Sequence, residues 1–218
     1  MLQTINRIRL AKREFQVNTV FDVGANIGAE TRKVAEAYPN AKFYCFEPFP
    51  STYEKLVHNL IGYKHINCFN EAFGRNDGYA HMKSTGSSEM NRITSDKNGI
   101  EIRMSSISSF CQANNVQAID YLKIDTEGHD MDVLIGCYQF ISQIQFIQCE
   151  VSMNEYNKYH VSFQKIFSYL ACLNFSIFGI FEQALEWGNG GYPILRRADV
   201  VFVNNLVVGD MKGVITHQ

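Results

Sequence analysis

A change of hydrophobic period at residues 19–38 constrains the fold more than any other feature of the chain. The apolar run Thr19–Val23 has the short span of a buried strand and ends in Asp22-Val23-Gly24. A helical period follows, with Ile27, Thr31, Val34, Ala35 and Tyr38 on one face, until Pro39 closes it. Residues 42–47 (Lys-Phe-Tyr-Cys-Phe-Glu) read as a second buried strand bounded by Pro48 and Pro50. Ser51 and Glu54 form a capping-box pattern ahead of the stripe Tyr53, Leu56, Val57 and Leu60, and 65–69 is a third strand. Two strand–helix–strand steps in succession need crossover helices, so the strands are parallel and the class is α/β.

Residues 79–104 are less regular. Ser84-Thr85-Gly86-Ser87-Ser88 and Asp96-Lys97-Asn98-Gly99 are loop chemistry, with short strands expected at 78–83 and 99–104. Alternation then resumes with a strand at 118–124, a helix at 131–138 and a strand at 144–151. Phe163, Ile166, Phe167 and Leu170 mark another helix, and strands follow at 175–181 and 198–203, separated by Gly188-Asn189-Gly190-Gly191. No internal repeat or linker interrupts the 218 residues, so one domain over 1–218 is expected, with an N-terminal helical extension at 1–16 and a core at 17–205.

Apolar residues make up 46% of the chain and charged ones 19%, enough for a large core. A net charge of −2 gives no electrostatic reason to expect nucleic acid or an anionic membrane as partner. Arg7, Arg9, Lys12 and Arg13 break up any signal-peptide core, and no apolar stretch reaches membrane-spanning length. The six cysteines include no pair within three residues, which excludes zinc-type spacing and points to reduced thiols. A soluble, cytoplasmic protein is the expectation.

Asp22-Val23-Gly24-Ala25-Asn26-Ile27-Gly28 carries the most chemistry. It lies where a strand turns into a helix, and glycine there permits a tight bend and close ligand approach. A dinucleotide fingerprint would have three glycines to seat a pyrophosphate; this loop has two, spaced GxxxG. S-adenosylmethionine has no pyrophosphate, and its ammonium suits a glycine loop with a nearby carboxylate. On this reading Asp22, Gly24, Asn26 and Gly28 form the cofactor loop, and Thr31 reaches the methionine carboxylate. Glu47, ending the second strand, accepts the ribose hydroxyls, while Asn70, Glu71 and Ala72 line the adenine.

The chain resembles the FkbM family of methyltransferases. The resemblance rests on the run from Phe21 to Gly28, on Phe46-Glu47-Pro48, and on Leu122-Lys123-Ile124-Asp125-Thr126-Glu127-Gly128. Glu150 and the closing Ala198-Asp199-Val200-Val201-Phe202-Val203 extend it over residues 17–205. It implies a Rossmann-like class I methyltransferase sandwich, with a mostly parallel seven-stranded sheet whose last strand is antiparallel. It also implies S-adenosylmethionine as methyl donor and O-methylation of a sugar or natural-product hydroxyl. The chain departs from the family at 104–110 (Met-Ser-Ser-Ile-Ser-Ser-Phe), where an aspartate often precedes the helix.

Methyl transfer to an alcohol needs a base, and Asp125, Glu127, His129 and Glu150 sit at adjacent strand ends facing the Gly24 edge. Asp125 also belongs to the cofactor set, and Asp125 with Glu150 could instead hold Mg²⁺ to acidify the hydroxyl. Asp125 has a plainer reading as a helix cap, and Lys123, inside an apolar strand, requires a carboxylate partner. The segments 84–88 and 188–191 are candidate lids. Trp187, Tyr192, Phe178 and Phe181 wall an acceptor pocket or, more simply, pack the core. Two other functions fit the pattern less well. An NAD-dependent oxidoreductase would also use Glu47 but wants the missing glycine, and a non-catalytic S-adenosylmethionine-binding module would need no base.

Overall fold

The computed structural model describes residues 1–83, 91–94, 96–188 and 190–208, so the lid expected at 84–88 and Asn189 of the second lid lie outside the described residues. The main sheet has seven strands: β1 (Thr19–Val23), β2 (Lys42–Phe46), β3 (Ile66–Phe69), β8 (Ile119–Ile124), β9 (Ile144–Ser152), β10 (Phe175–Trp187) and β11 (Pro193–Asn204). Their spatial order is β10-β11-β9-β8-β1-β2-β3. From β3 to β9 every pairing is parallel, whereas β11 runs antiparallel to both β9 and β10. The sheet and its single reversed strand are those the FkbM resemblance implies. All six residues of β8 are buried, as expected of a central parallel strand covered on both faces.

Alternate strand residues serve opposite faces. Val20, Phe43, Cys45 and Tyr121 pack with Ile5 and Ile8 of α1 (Leu2–Ala11), Val34 of α2 (Ala29–Ala37) and Leu56 of α3 (Pro50–Leu60). Phe21, Phe46, Leu122 and Ile147 pack the other way. There they meet Ile107 of α4 (Ile107–Ala113), Leu134 of α5 (Asp130–Gly136) and Leu170 of α6 (Phe163–Cys172). Three helices thus cover each face.

The chain passes from β1 outward to β3, then returns to β8 on the other side of β1, which makes the β1–β8 boundary the topological switch point. Between β3 and α4 a second sheet, ordered β4-β7-β5-β6, is built from β4 (Ala72–Phe73), β5 (Gly78–Lys83), β6 (Arg92–Thr94) and β7 (Ile100–Ser105). It closes one side of the crevice. No helix among the described residues is long and apolar enough to cross a membrane.

Several local expectations change. The Ser51–Glu54 capping box does not form: Pro50 opens α3, and its N-cap Phe49 has no side-chain cap. The Glu47 carboxylate accepts the Phe49 N–H at 2.9 Å instead. Helix α4, which the hydrophobic pattern did not mark, buries Ile107, Phe110 and Cys111, and Ser106 caps it by accepting the Ser109 N–H. β10 and β11 run far past the expected 175–181 and 198–203, forming one long hairpin that reaches Trp187↔Pro193, with Gly188, Gly190 and Gly191 beyond it. Trp187 and Tyr192, near that end, are 67% and 82% exposed and so pack no core, whereas Phe178 and Phe181 lie against the α1 side.

Candidate functional site

Gly24 sits on the switch point with φ +85°, and a Cβ there would lie 1.9 Å from the Asp125 carbonyl oxygen. Only glycine allows β1 and β8 to end this close together. The Gly24 and Ala25 N–H groups both donate to the Phe46 carbonyl at 3.0 Å, and the Asp125 N–H donates to Val23 O at 2.9 Å. The bend therefore joins the ends of β2, β1 and β8.

Gly28 has a different use. Its φ is +79°, and a Cβ would press on Leu56 and Leu60 of α3 at 2.7 and 2.8 Å, so it makes room for helix packing and lines neither cavity of the site. Thr31 likewise does not reach a ligand position. It is buried, and its hydroxyl donates to Asp22 Oδ2 at 2.5 Å. These two members of the expected cofactor loop support it from behind.

A cavity of about 730 Å³, mouth included, opens beside the bend. Its apolar walls include Phe73, Met82 and Ile93, and Gly24, Asn26, Glu47, Glu71 and Ala72 also line it. Glu47 accepts the N–H groups of Phe49 and Asn26, leaving lone pairs free on both oxygens. Burial raises its carboxyl to about 7. Glu71 is tied down by the Ser105 hydroxyl and by Arg103 Nε at 3.1 Å. Asn70 donates to the carbonyls of Glu47 and Pro48 and so shapes the rim from outside. Three polar atoms of the lining, Asn26 Oδ1, Thr126 Oγ1 and His129 Nε2, are buried without a hydrogen-bond partner among the described residues. Orphaned groups of this kind are costly unless a ligand satisfies them. Flat apolar walls with a few such groups fit a nucleoside.

A second, charged cleft shares Gly24, Asn26, Asp125 and Glu127 with this cavity and continues to Lys123, Glu150, His160 and Arg197. Lys123 is buried, 2.9 Å from Asp125 Oδ2 and 3.6 Å from Asp22 Oδ1, which supplies the partner its strand position demands. Burial opposes charge on Asp125, but Lys123 outweighs it and holds the carboxyl below its usual value. Asp125 does not cap α5, whose N-cap His129 makes no side-chain cap; Asp130, in its first turn, accepts instead the N–H groups of Thr126 and Gly128 in the preceding turn. That arrangement fixes the turn carrying Glu127 at φ +53°. Burial raises the Glu127 carboxyl, and the neighbouring Asp125 charge adds to it.

Glu150 is engaged on both oxygens, by Arg197 and by His160 Nε2 at 2.7 Å. Asp125 and Glu150 therefore each have their own cation or donor, and the pair does not fit a shared Mg²⁺. The donor atoms that do gather are those of Glu127, Glu150 and His160, within 4.8 Å of one another. His129 faces the apolar cavity rather than the charged cleft; its Nδ1 lies 3.2 Å from Asp132, and burial lowers its basicity. His160, Tyr159, Arg92, Arg196 and Arg197 have no counterpart among the sequence candidates. They arrive from the loop after β9, from β6 of the second sheet and from β11, whose register Asp199↔Glu150 sets Arg196 and Arg197 beside the end of β9.

The family model described as Methyltransferase FkbM domain matches residues 22–177. A curated relative, the 2-O-methyltransferase NoeI of Sinorhizobium fredii, is 23% identical over 155 residues, covering 62% of this chain and 64% of that protein. Methyltransferase 1 of Beauveria bassiana is 25% identical over 145 residues, covering 54% and 57%. The chain thus matches less than two thirds of the length of either relative. Among solved structures, TrmK of M. capricolum in complex with S-adenosylhomocysteine has a TM-score of 0.52 at 10% identity, covering 94% of this chain and 70% of that one. An rRNA methylase from Streptococcus thermophilus has a TM-score of 0.50 at 10% identity, covering 94% and 96%. At such identities the likeness concerns the fold alone.

Proposed function

Because the chain belongs to the FkbM methyltransferase domain family, we propose that it transfers the methyl group of S-adenosylmethionine to a hydroxyl of a saccharide or natural-product acceptor. The observation that carries this reading is the Gly24 bend, too close to Asp125 for any side chain, opening onto a cavity with three unsatisfied buried polar atoms. Bound S-adenosylmethionine supplies an electrophilic methyl carbon on a sulfonium, which an acceptor oxygen attacks in line as the carbon–sulfur bond breaks.

In this reading the apolar cavity holds the nucleoside. Asn26 and Glu71 face it, Ala72 leaves space for the base, and Glu47 accepts the ribose hydroxyls on its free lone pairs. Asp125, kept ionised by Lys123, marks where the cavity meets the charged cleft and faces the positive sulfur. Asp22 is a positioning residue, holding Lys123 and Thr31. Glu127 takes the acceptor proton. It lines both cavities, burial raises its carboxyl above the ordinary glutamate value, and no hydrogen bond occupies it among the described residues, the His160 Nε2 lying 3.7 Å away. Glu150, held by Arg197 and His160, orients the acceptor wall, and His129 contacts the nucleoside side. No metal is required by these roles. Much of the rate enhancement then comes from alignment, for which about 7–11 kcal/mol is attainable.

The test uses S-adenosylmethionine labelled in its methyl group and a panel of saccharides and hydroxylated natural products. Label is expected in a product that survives mild alkali, as a methyl ether does. Alkali-labile label would show carboxyl methylation, and label in no acceptor would leave only the cofactor-binding reading.

A pH dependence follows from Glu47. Ribose hydroxyls donate to its ionised form, so ligand binding favours deprotonation. Affinity for S-adenosylhomocysteine should therefore rise about tenfold per pH unit below its pKa of about 7, then level off. Calorimetry from pH 5.5 to 8 should show this slope in the wild type and a flat profile in Glu47→Gln. A flat wild-type profile would remove Glu47 from the ribose site.

A further inference from the structure

Six of the nine arginines are exposed; the three half-buried ones, Arg92, Arg196 and Arg197, all line the charged cleft. Arg197 is neutralised by Glu150. Arg92 lies over the Tyr159 ring at 4.6 Å, and neither it nor Arg196 has a carboxylate within ion-pair distance among the described residues. Arg92 acts on Glu127 only from beyond ion-pair distance, and a half-buried guanidinium with no anion in contact is under-compensated, so the two together mark a place for negative charge. Their frame is fixed in advance. The Arg196 carbonyl accepts the Met153 N–H at 3.0 Å and the Asn157 amide at 3.4 Å, and Asn157 also contacts the His160 ring.

Position separates Arg196, at the far end of the same cleft, from the cofactor loop. Gly24 follows β1, whereas Arg196 is on β11, three strands away through β8 and β9, or roughly 14 Å at the usual strand spacing. Arg92 and Arg196 stand instead beside His160, Tyr159 and Glu150, around the hydroxyl-facing end of the cleft. An extended polyanion would meet Glu127 and Glu150 and a chain of net charge −2, so one compact anionic group fits better than a nucleic-acid backbone.

We propose that the acceptor carries a carboxylate or phosphate group, gripped by Arg92 and Arg196 next to the hydroxyl that is methylated. This rests on the methyl-transfer reading above. Guanidinium forks bind such groups with two parallel hydrogen bonds, which would set the acceptor's register relative to Glu127.

Inorganic phosphate is the probe, titrated by calorimetry into protein saturated with S-adenosylhomocysteine. The expected result is millimolar binding to the wild type, weakened at least tenfold in Arg92→Gln and in Arg196→Gln. Arg196→Lys, which keeps the charge but not the fork, should bind phosphate more tightly than Arg196→Gln yet several-fold more weakly than the wild type, and S-adenosylhomocysteine affinity should stay within twofold in every variant, which also shows that each folds. Equal phosphate binding in wild type and variants, or none in the wild type, overturns the proposal. So does loss of S-adenosylhomocysteine affinity in the arginine variants with phosphate as competitor, since the anion would then be the cofactor's own carboxylate. Failure of the wild type to bind S-adenosylhomocysteine defeats the methyl-transfer reading instead, and this proposal with it.

Discussion

Gly24→Ala should destabilise the protein by about 2–6 kcal/mol and abolish S-adenosylhomocysteine binding. The left-handed backbone at φ +85° accounts for about 1–3 kcal/mol with any side chain present. The overlap with the Asp125 carbonyl at 1.9 Å adds about 1–3 kcal/mol more, because the obstacle is backbone and cannot rotate aside. Relieving it moves Asp125 away from Val23 and opens the strand junction on which both cavities depend. Gly28→Ala is the comparison. It shares the left-handed φ, but its obstacles are the methyl ends of Leu56 and Leu60, so it should cost less and leave ligand binding measurable. Urea denaturation of the two variants orders them, and a larger loss for Gly28→Ala would show that the bend is not the tighter contact.

Glu127→Gln should lower turnover by about 10²–10⁴ while leaving S-adenosylhomocysteine affinity within threefold. The amide keeps the shape of the side chain but cannot take a proton. Wild-type turnover should rise with pH as Glu127 ionises, above the ordinary glutamate range because burial and Asp125 favour the neutral form, and the variant should lose that limb. Glu150→Gln is expected to act differently, weakening acceptor use through Arg197 and His160 without removing the pH limb. Full turnover in Glu127→Gln would transfer the proton-accepting role to another group of the cleft.

What the sequence reveals of this site divides by range. The Asp22–Gly28 bend is legible because turn chemistry and a change of period are local, and Glu47 and Asp125 are legible because parallel strands end on one edge. Lys123 could be assigned an acidic partner in advance, since a cation within six buried strand residues has no other stable arrangement. The uses of Gly28 and Thr31 were not legible. Leu56 and Leu60 lie about thirty residues from Gly28, and nothing near Gly28 says whether its missing Cβ faces a ligand or a helix. Thr31 differs from a ligand-contacting threonine only in pointing inward to Asp22.

Arg92, His160, Arg196 and Arg197 are hidden for the same reason. They come from an irregular sheet, a loop and an antiparallel strand, and only the tertiary fold brings these three to one cleft, the Asp199↔Glu150 register fixing the place of Arg196 and Arg197. One signal was present: Arg196-Arg197 precedes an apolar strand, where alternation sends neighbouring side chains to opposite faces, so at least one of the pair had to meet the sheet's surroundings at close range. The extra length of β10 and β11 was obscured by Glu182, Arg196 and Arg197, which read as loop composition, yet the strands run through them, Glu182 exposed and both arginines half-buried in the charged cleft.

Calorimetric titration of the wild-type protein with S-adenosylhomocysteine tests most directly whether the switch-point bend and its cavity form a cofactor site. One molecule should bind per chain at micromolar concentration, and Gly24→Ala should bind none. No heat at millimolar ligand, or equal binding by Gly24→Ala, would contradict it.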